Sequence, residues 1–98
     1  MAKKKQFVVL GLGRFGMSLA RELSEKGHLV LGVDSSMERV QAASEFVTQA
    51  VCVDVADESA VHSLGLGNFD IVVVSIGSTF EASVMAVLLA KEAGAPYI

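Results

Sequence analysis

Four short apolar blocks recur along the chain. They are Phe7-Val8-Val9-Leu10, Leu29-Val30-Leu31-Gly32-Val33, Ala50-Val51-Cys52-Val53 and Ile71-Val72-Val73-Val74. Each is followed by a polar or Gly-rich turn, and then by a stretch in which apolar residues return every three or four positions. Blocks of this length with no polar alternation fit strands buried on both faces of a parallel sheet. The stretches between them fit helices. The first strand is Gln6–Leu10 and the first helix covers 14–26, where Phe15, Leu19 and Leu23 stand four apart and Gly27 supplies the stop. The second strand is 29–34, and Ser35 or Ser36 caps a second helix running to Glu45. The third strand is 50–53, the third helix 57–64, and 65–68 is a loop. The fourth strand, 71–74, is the most β-branched block of the chain. The fourth helix covers 79–93, Gly94-Ala95-Pro96 ends it, and Tyr97-Ile98 reads as the start of a fifth strand.

Alternating β and α elements predict right-handed crossovers, a parallel sheet and helices on both faces. The expected fold is α/β: a Rossmann-like, doubly wound, three-layer αβα arrangement with strand order 3-2-1-4-5. Ligands of such sheets sit beyond the carboxyl ends of the strands, where the order reverses. Four turns converge there: 11–16, 34–36, 54–57 and 75–78. No solenoid-type repeat and no low-complexity linker interrupts the pattern.

The composition narrows this picture. The chain has 98 residues, the size of one small domain, and 52% are hydrophobic while 19% are charged, which supplies a core and some apolar surface for another subunit. A complete domain of this type would continue for roughly 40 residues or more, so 1–98 reads as one nucleotide-binding domain truncated on its C-terminal side. The net charge of −3 offers no basic face for nucleic acid, and Lys3-Lys4-Lys5 reads as a solvated tail with no leader-type apolar segment before Gly11. The longest apolar run, 84–90, is far short of the ~20 residues that span a bilayer. The single Cys52 excludes an internal disulfide, fits a reducing compartment, and is expected to be buried in its apolar strand.

The candidate chemistry begins at Gly11-Leu12-Gly13-Arg14-Phe15-Gly16, between a strand and a helix start. In a dinucleotide fingerprint Gly11 makes the tight turn, Gly13 lets a pyrophosphate approach the backbone, and Gly16 lets helix and strand pack closely. The helix N-terminus directs free N–H groups and partial positive charge at the anion. Asp34 ends the second strand at about the ~20-residue spacing of the ribose-binding acid, with a helix cap as the alternative role. It is expected to repel a 2′-phosphate, since Ser35-Ser36-Met37 carries no base and Arg39 comes only one turn into the helix. Arg14 begins at the phosphate site and can reach terminal phosphates, or else is a solvated helix residue. Asp54 is placed for the adenine side, or for a cap of the third helix. Ser75-Ile76-Gly77 lies at the far side of the crevice, where Gly77 allows close approach of the ligand's second half, or else is a plain βα turn. His28 and His62 have no second His or Cys near them for a metal, and no nucleophile–His–acid set is readable. A hydride-transfer enzyme would also need an acid–base residue over the cradle. The enzyme alternative, the cofactor-binding half of an NAD-dependent dehydrogenase, therefore requires a catalytic domain elsewhere.

Gly-Leu-Gly-Arg-Phe-Gly at 11–16, Val33-Asp34, Asp54 with Asp57-Glu58, Asn68-Phe69-Asp70 before the Val-rich strand, and Ser75-Ile76-Gly77 with Glu81-Ala82-Ser83 resemble one family. It is the N-terminal RCK (KTN, or TrkA-N) domain of Ktr/Trk-type potassium-uptake regulators, the Ktr regulatory subunit above all. The likeness covers residues 6–98. It implies a regulator rather than an enzyme: a cytoplasmic protein at the inner face of the membrane. Such proteins form homo-oligomeric rings, dock on a membrane K+ translocating subunit, and bind ATP/ADP or NAD(H) to set gating. By this resemblance Gly13, Arg14 and Phe15 contact the pyrophosphate, Asp34 the ribose, and Asp54 and Val55 the adenine side. Val53-Asp54-Val55-Ala56 departs from the family, which commonly ends this turn in Ala-Thr. In the fourth helix Val84, Met85, Val87, Leu88 and Leu89 cover more than one face, so one face is expected on the sheet and another on a neighbouring subunit.

Overall fold

The computed structural model describes residues 4–76 and 80–98. Its elements in order are β1 (Gln6–Leu10), α1 (Arg14–Glu25), β2 (Leu29–Asp34), α2 (Met37–Ala43), β3 (Gln49–Cys52), α3 (Glu58–Ser63), a 3-10 turn (Leu66–Asn68), β4 (Ile71–Val74) and α4 (Phe80–Glu92). All strand pairs are parallel, and the sheet order is β3-β2-β1-β4. The order reverses between β1 and β4, as the alternation of elements predicts.

Side chains on successive strand residues point to opposite faces, and each face has its own core. Val8, Leu10, Leu31, Val33 and Val72 pack with Val61 of α3 and Ala86 and Ala90 of α4. Phe7, Val9 and Val30 pack on the other face with Leu12, with Ala20 of α1, with Ala43 at the end of α2, and with Val47 in the turn beyond it. Val8, Val9 and Leu10 are fully buried because β1 lies between β2 and β4 and beneath helices on both sides. Asp70 aligns β4 with β1: its carboxylate accepts from the Gln6 N–H at 2.8 Å, and its own N–H donates to the Gln6 carbonyl at 2.9 Å.

Several boundaries differ from the pattern for local reasons. The buried residues of α1 are Gly16 and Ala20, with Met17 and Leu23 partly covered, whereas Phe15 is 68% exposed. Small residues face the sheet because α1 starts in close contact with the Gly-rich turn. α2 ends at Ala43 rather than Glu45, because the Phe46 and Val47 N–H groups both fold back onto the Ala43 carbonyl. That turn sends Val47 into the core and sets Phe46 beneath the Arg21 guanidinium, 4.8 Å from the ring centroid. The segment 65–68 is more than a loop, since its 3-10 turn inserts Leu66, fully buried, into the core. Cys52 is exposed rather than buried, because β3 is an edge strand; its thiol donates to the Ser35 carbonyl at 3.3 Å. Tyr97 and Ile98 form no strand, yet the Val72 N–H donates to the Tyr97 carbonyl at 2.8 Å, beside β4 where a fifth strand would add.

Candidate functional site

The carboxyl ends of all four strands open onto one cavity of about 470 Å3, within the roughly 300–1,000 Å3 of small-molecule sites. Its lining runs from Gly11 and Gly13 after β1, through Asp34 and Ser35 after β2 and Asp54-Val55-Ala56 after β3, to Ser75 and Ile76 after β4. Arg39 of α2 and Ala82 of α4 complete it among the described residues. Eight residues singled out from the sequence thus meet in one place.

The Gly-rich turn is built by close backbone approach. Gly11 has φ +103°, a conformation that side chains oppose, and its N–H donates to the Val33 carbonyl at 2.8 Å. A Cβ at Gly11 would lie 2.5 Å from the Ser75 carbonyl oxygen. The Ser75 hydroxyl in turn donates to the Gly11 carbonyl at 2.7 Å, so the turns after β1 and β4 are joined at the switch point. A Cβ at Gly16 would overlap the Gly11 carbonyl oxygen. Gly13 is the opposite case: a Cβ there meets nothing within 4 Å, since that side of the residue faces open space.

The start of α1 is left open. Gly13 is its N-cap and provides no side-chain hydrogen bond, and its first turn holds no acidic residue. In contrast, Ser36 and Asp57 cap α2 and α3, and Glu38, Glu58 and Glu81 stand in the first turns of α2, α3 and α4. The N–H groups and partial positive charge that other helices satisfy internally are available to an external anion at α1. Arg14 and Phe15 are both exposed in that first turn, outside the cavity lining, and Arg14 has no ion pair among the described residues. Gly16 is buried behind them.

Asp34 is the buried charged residue among those described, 7% exposed. Its Oδ2 accepts from the Leu12 N–H at 2.7 Å and its Oδ1 from the Ser36 N–H at 2.8 Å. It therefore fixes the Gly-rich turn against the end of β2. The cap of α2 is Ser36, whose hydroxyl accepts from the Arg39 N–H at 3.3 Å. Asp54 does not cap α3: Asp57 does, accepting from Ala60 N–H at 3.2 Å. The Asp54 carboxylate closes its own turn on the Ala56 N–H at 2.9 Å. The Ser83 hydroxyl donates to the Ile76 carbonyl at 2.8 Å and joins α4 to the fourth turn. Gly77 lies outside the described residues. Arg39, Ala56 and Ala82 line the cavity without having been marked as ligand contacts. Ala56 lies in the 54–57 turn and Ala82 in the Glu81-Ala82-Ser83 stretch, and Arg39 is a base one turn into the helix that follows Asp34.

His28 is structural: its Nδ1 accepts from the Lys5 N–H at 3.1 Å, and its ring meets Phe7 edge-on at the far end of the sheet. No group of three or more potential ligands for a metal occurs among the described residues, and no helix among them is long and apolar enough to cross a membrane.

Strand order, crevice and Gly-rich turn define a Rossmann-type nucleotide-binding domain. The chain belongs to the TrkA-N domain family, which it matches over residues 7–98. It is 46% identical over 96 residues to Ktr system potassium uptake protein A of Bacillus subtilis, covering 98% of this chain and 43% of that protein. It is also 46% identical over 90 residues to the protein of the same name from Vibrio alginolyticus, covering 92% of this chain and 41% of that one. The chain thus spans less than half the length of these relatives. Among solved structures, the NAD(P)-binding domain of an exopolyphosphatase-related protein from Archaeoglobus fulgidus superposes with a TM-score of 0.77 at 30% identity, covering 92% of this chain and 67% of that one.

Proposed function

We propose that this chain is the nucleotide-binding domain of a cytoplasmic regulatory subunit of a potassium uptake system. It binds ATP/ADP or NAD(H) across the ends of the strands. Through a homo-oligomeric, ring-type assembly it passes the change of ligand to a membrane K+ translocating subunit. The observation that carries the nucleotide reading is the uncapped, acid-free start of α1 beside the open face of Gly13, at the mouth of the cavity. The names of the Ktr relatives support the potassium-uptake part.

In this reading the pyrophosphate lies against Gly13 and the first N–H groups of α1, with Arg14 and Phe15 beside it. The ribose meets Asp34 and Ser35, the adenine lies toward Asp54 and Val55, and the rest of the ligand extends toward Ser75, Ile76 and Gly77. A regulatory rather than catalytic role is supported by the acids of the cavity. Asp34 already accepts two backbone N–H groups and Asp54 one, as turn-forming residues do. Mass spectrometry of the nucleotide retained on purification, followed by titration with ATP, ADP and NADH, tests the proposal. Saturable binding without turnover is expected. Nucleotide-dependent turnover abolished by a site substitution would refute it.

A further inference from the structure

Three charged side chains line the cavity among the described residues: Asp34, Asp54 and Arg39. Two repel a phosphorylated ligand and one attracts it. The position of Arg39 is set by a short relay. Asp34 Oδ1 holds the Ser36 N–H at 2.8 Å, and the Ser36 hydroxyl holds the Arg39 N–H at 3.3 Å. The guanidinium then stands over the Asp34 carboxylate, with Nη1 3.7 Å from Oδ2. That is beyond hydrogen-bond length for a charge-assisted N–H···O contact, and the Arg39 side chain is 55% exposed. Such a pair contributes little to stability. It leaves the donors of Arg39 available on the cavity side.

Each oxygen of Asp34 accepts one backbone N–H and keeps capacity for one more donor. A ribose hydroxyl that donates to Asp34 retains lone pairs of its own, and these would face Arg39. In dinucleotide sites an acid at the end of the second strand takes the 2′-hydroxyl, while an Arg nearby accommodates a 2′-phosphate. Here both stand side by side. We propose that Arg39 reads the 2′-position of the bound ribose. It donates to the 2′-hydroxyl oxygen while that hydroxyl donates to Asp34, and its charge offsets part of the repulsion between Asp34 and a 2′-phosphate. The proposal rests on the nucleotide reading of the cavity.

The test compares calorimetric Kd values of ADP, 2′-deoxy-ADP, NADH and NADPH for the unaltered protein, Arg39→Ala and Arg39→Lys. In Arg39→Ala the preference for ADP over 2′-deoxy-ADP should shrink at least ~3-fold, and the preference for NADH over NADPH should widen at least ~5-fold, each read directly as a ratio of dissociation constants. Arg39→Lys should restore the NADPH ratio, because it keeps the charge, and only part of the 2′-deoxy ratio, because it lacks the planar fork. Thermal unfolding should be unchanged in both variants. If ADP and NADH bind and neither ratio moves in Arg39→Ala, Arg39 is only the partner of Asp34 and this proposal alone is overturned. If the unaltered protein binds neither nucleotide, the nucleotide reading falls and this proposal with it.

Discussion

The carboxylate of Asp34 accepts the Leu12 backbone N–H at 2.7 Å, joining the end of the second strand to the middle residue of the first glycine pair. Leu12 is buried, so that N–H has no water to replace the carboxylate. A residue expected for the ligand is thus also a fastener of the turn that cradles it.

Asp34→Ala should therefore lower stability as well as affinity. Leaving the Leu12 N–H unsatisfied costs about 1–3 kcal/mol, which denaturant unfolding would detect. Affinity for NADH should fall and the penalty for NADPH should shrink. An Asp34→Ala protein as stable as the unaltered one would show that the Leu12 contact is dispensable.

Gly16→Ala should damage the fold. The new Cβ would overlap the Gly11 carbonyl and lie 2.6 Å from the Ser75 hydroxyl oxygen, with backbone that cannot yield. Overpacking of this kind costs roughly 1–3 kcal/mol or more. Unchanged thermal unfolding would mean that α1 can move away from the turn.

The strands, their order and eight of the cavity residues were legible because their signals are local. An apolar run, a glycine at a fixed spacing and an acid at a strand end each need only neighbours in sequence. What was not legible depends on partners far along the chain. Cys52 sits in an apolar block, yet β3 is an edge strand, and edge position is a property of the whole sheet. Phe15 continues a helical stripe, yet at the start of α1 it is Gly16 that packs against the turn, so Phe15 is exposed while Leu23 still packs on the core. Asp54 precedes a helix as a cap would, but Asp57 makes the bond to Ala60. Arg39 enters the cavity only because Ser36 starts α2 where it does.

Arg14 should separate ligands by phosphate number. It is exposed beside the open start of α1, with no ion pair among the described residues to hold it. Arg14→Ala is expected to weaken ATP by about 1.5–3 kcal/mol and ADP or NADH by less. Calorimetric titration of the three ligands checks this. Equal losses would place Arg14 at the shared pyrophosphate or on the helix alone.

Self-association should run through the outer face of α4, where Val84 is 40% and Leu88 50% exposed. Val84 is the better probe than Val87, which is half-buried. Val84→Glu should leave the fold intact and shift a dimer to monomer in sedimentation experiments, since burying an unpaired carboxylate at an apolar contact costs several kcal/mol. A monomer at all concentrations before substitution would contradict this.

The most direct test of adenine-nucleotide binding at the turn is Gly13→Val. Apart from its chain neighbours no atom lies within 4 Å of the position its Cβ would take, so the fold is open where the side chain begins, whereas a bound pyrophosphate would meet it. Calorimetric titration with ADP should show saturable binding to the unaltered protein and none to a Gly13→Val protein with the same thermal unfolding. Equal ADP affinity in the two folded proteins would contradict the placement of the nucleotide at the Gly11–Gly16 turn.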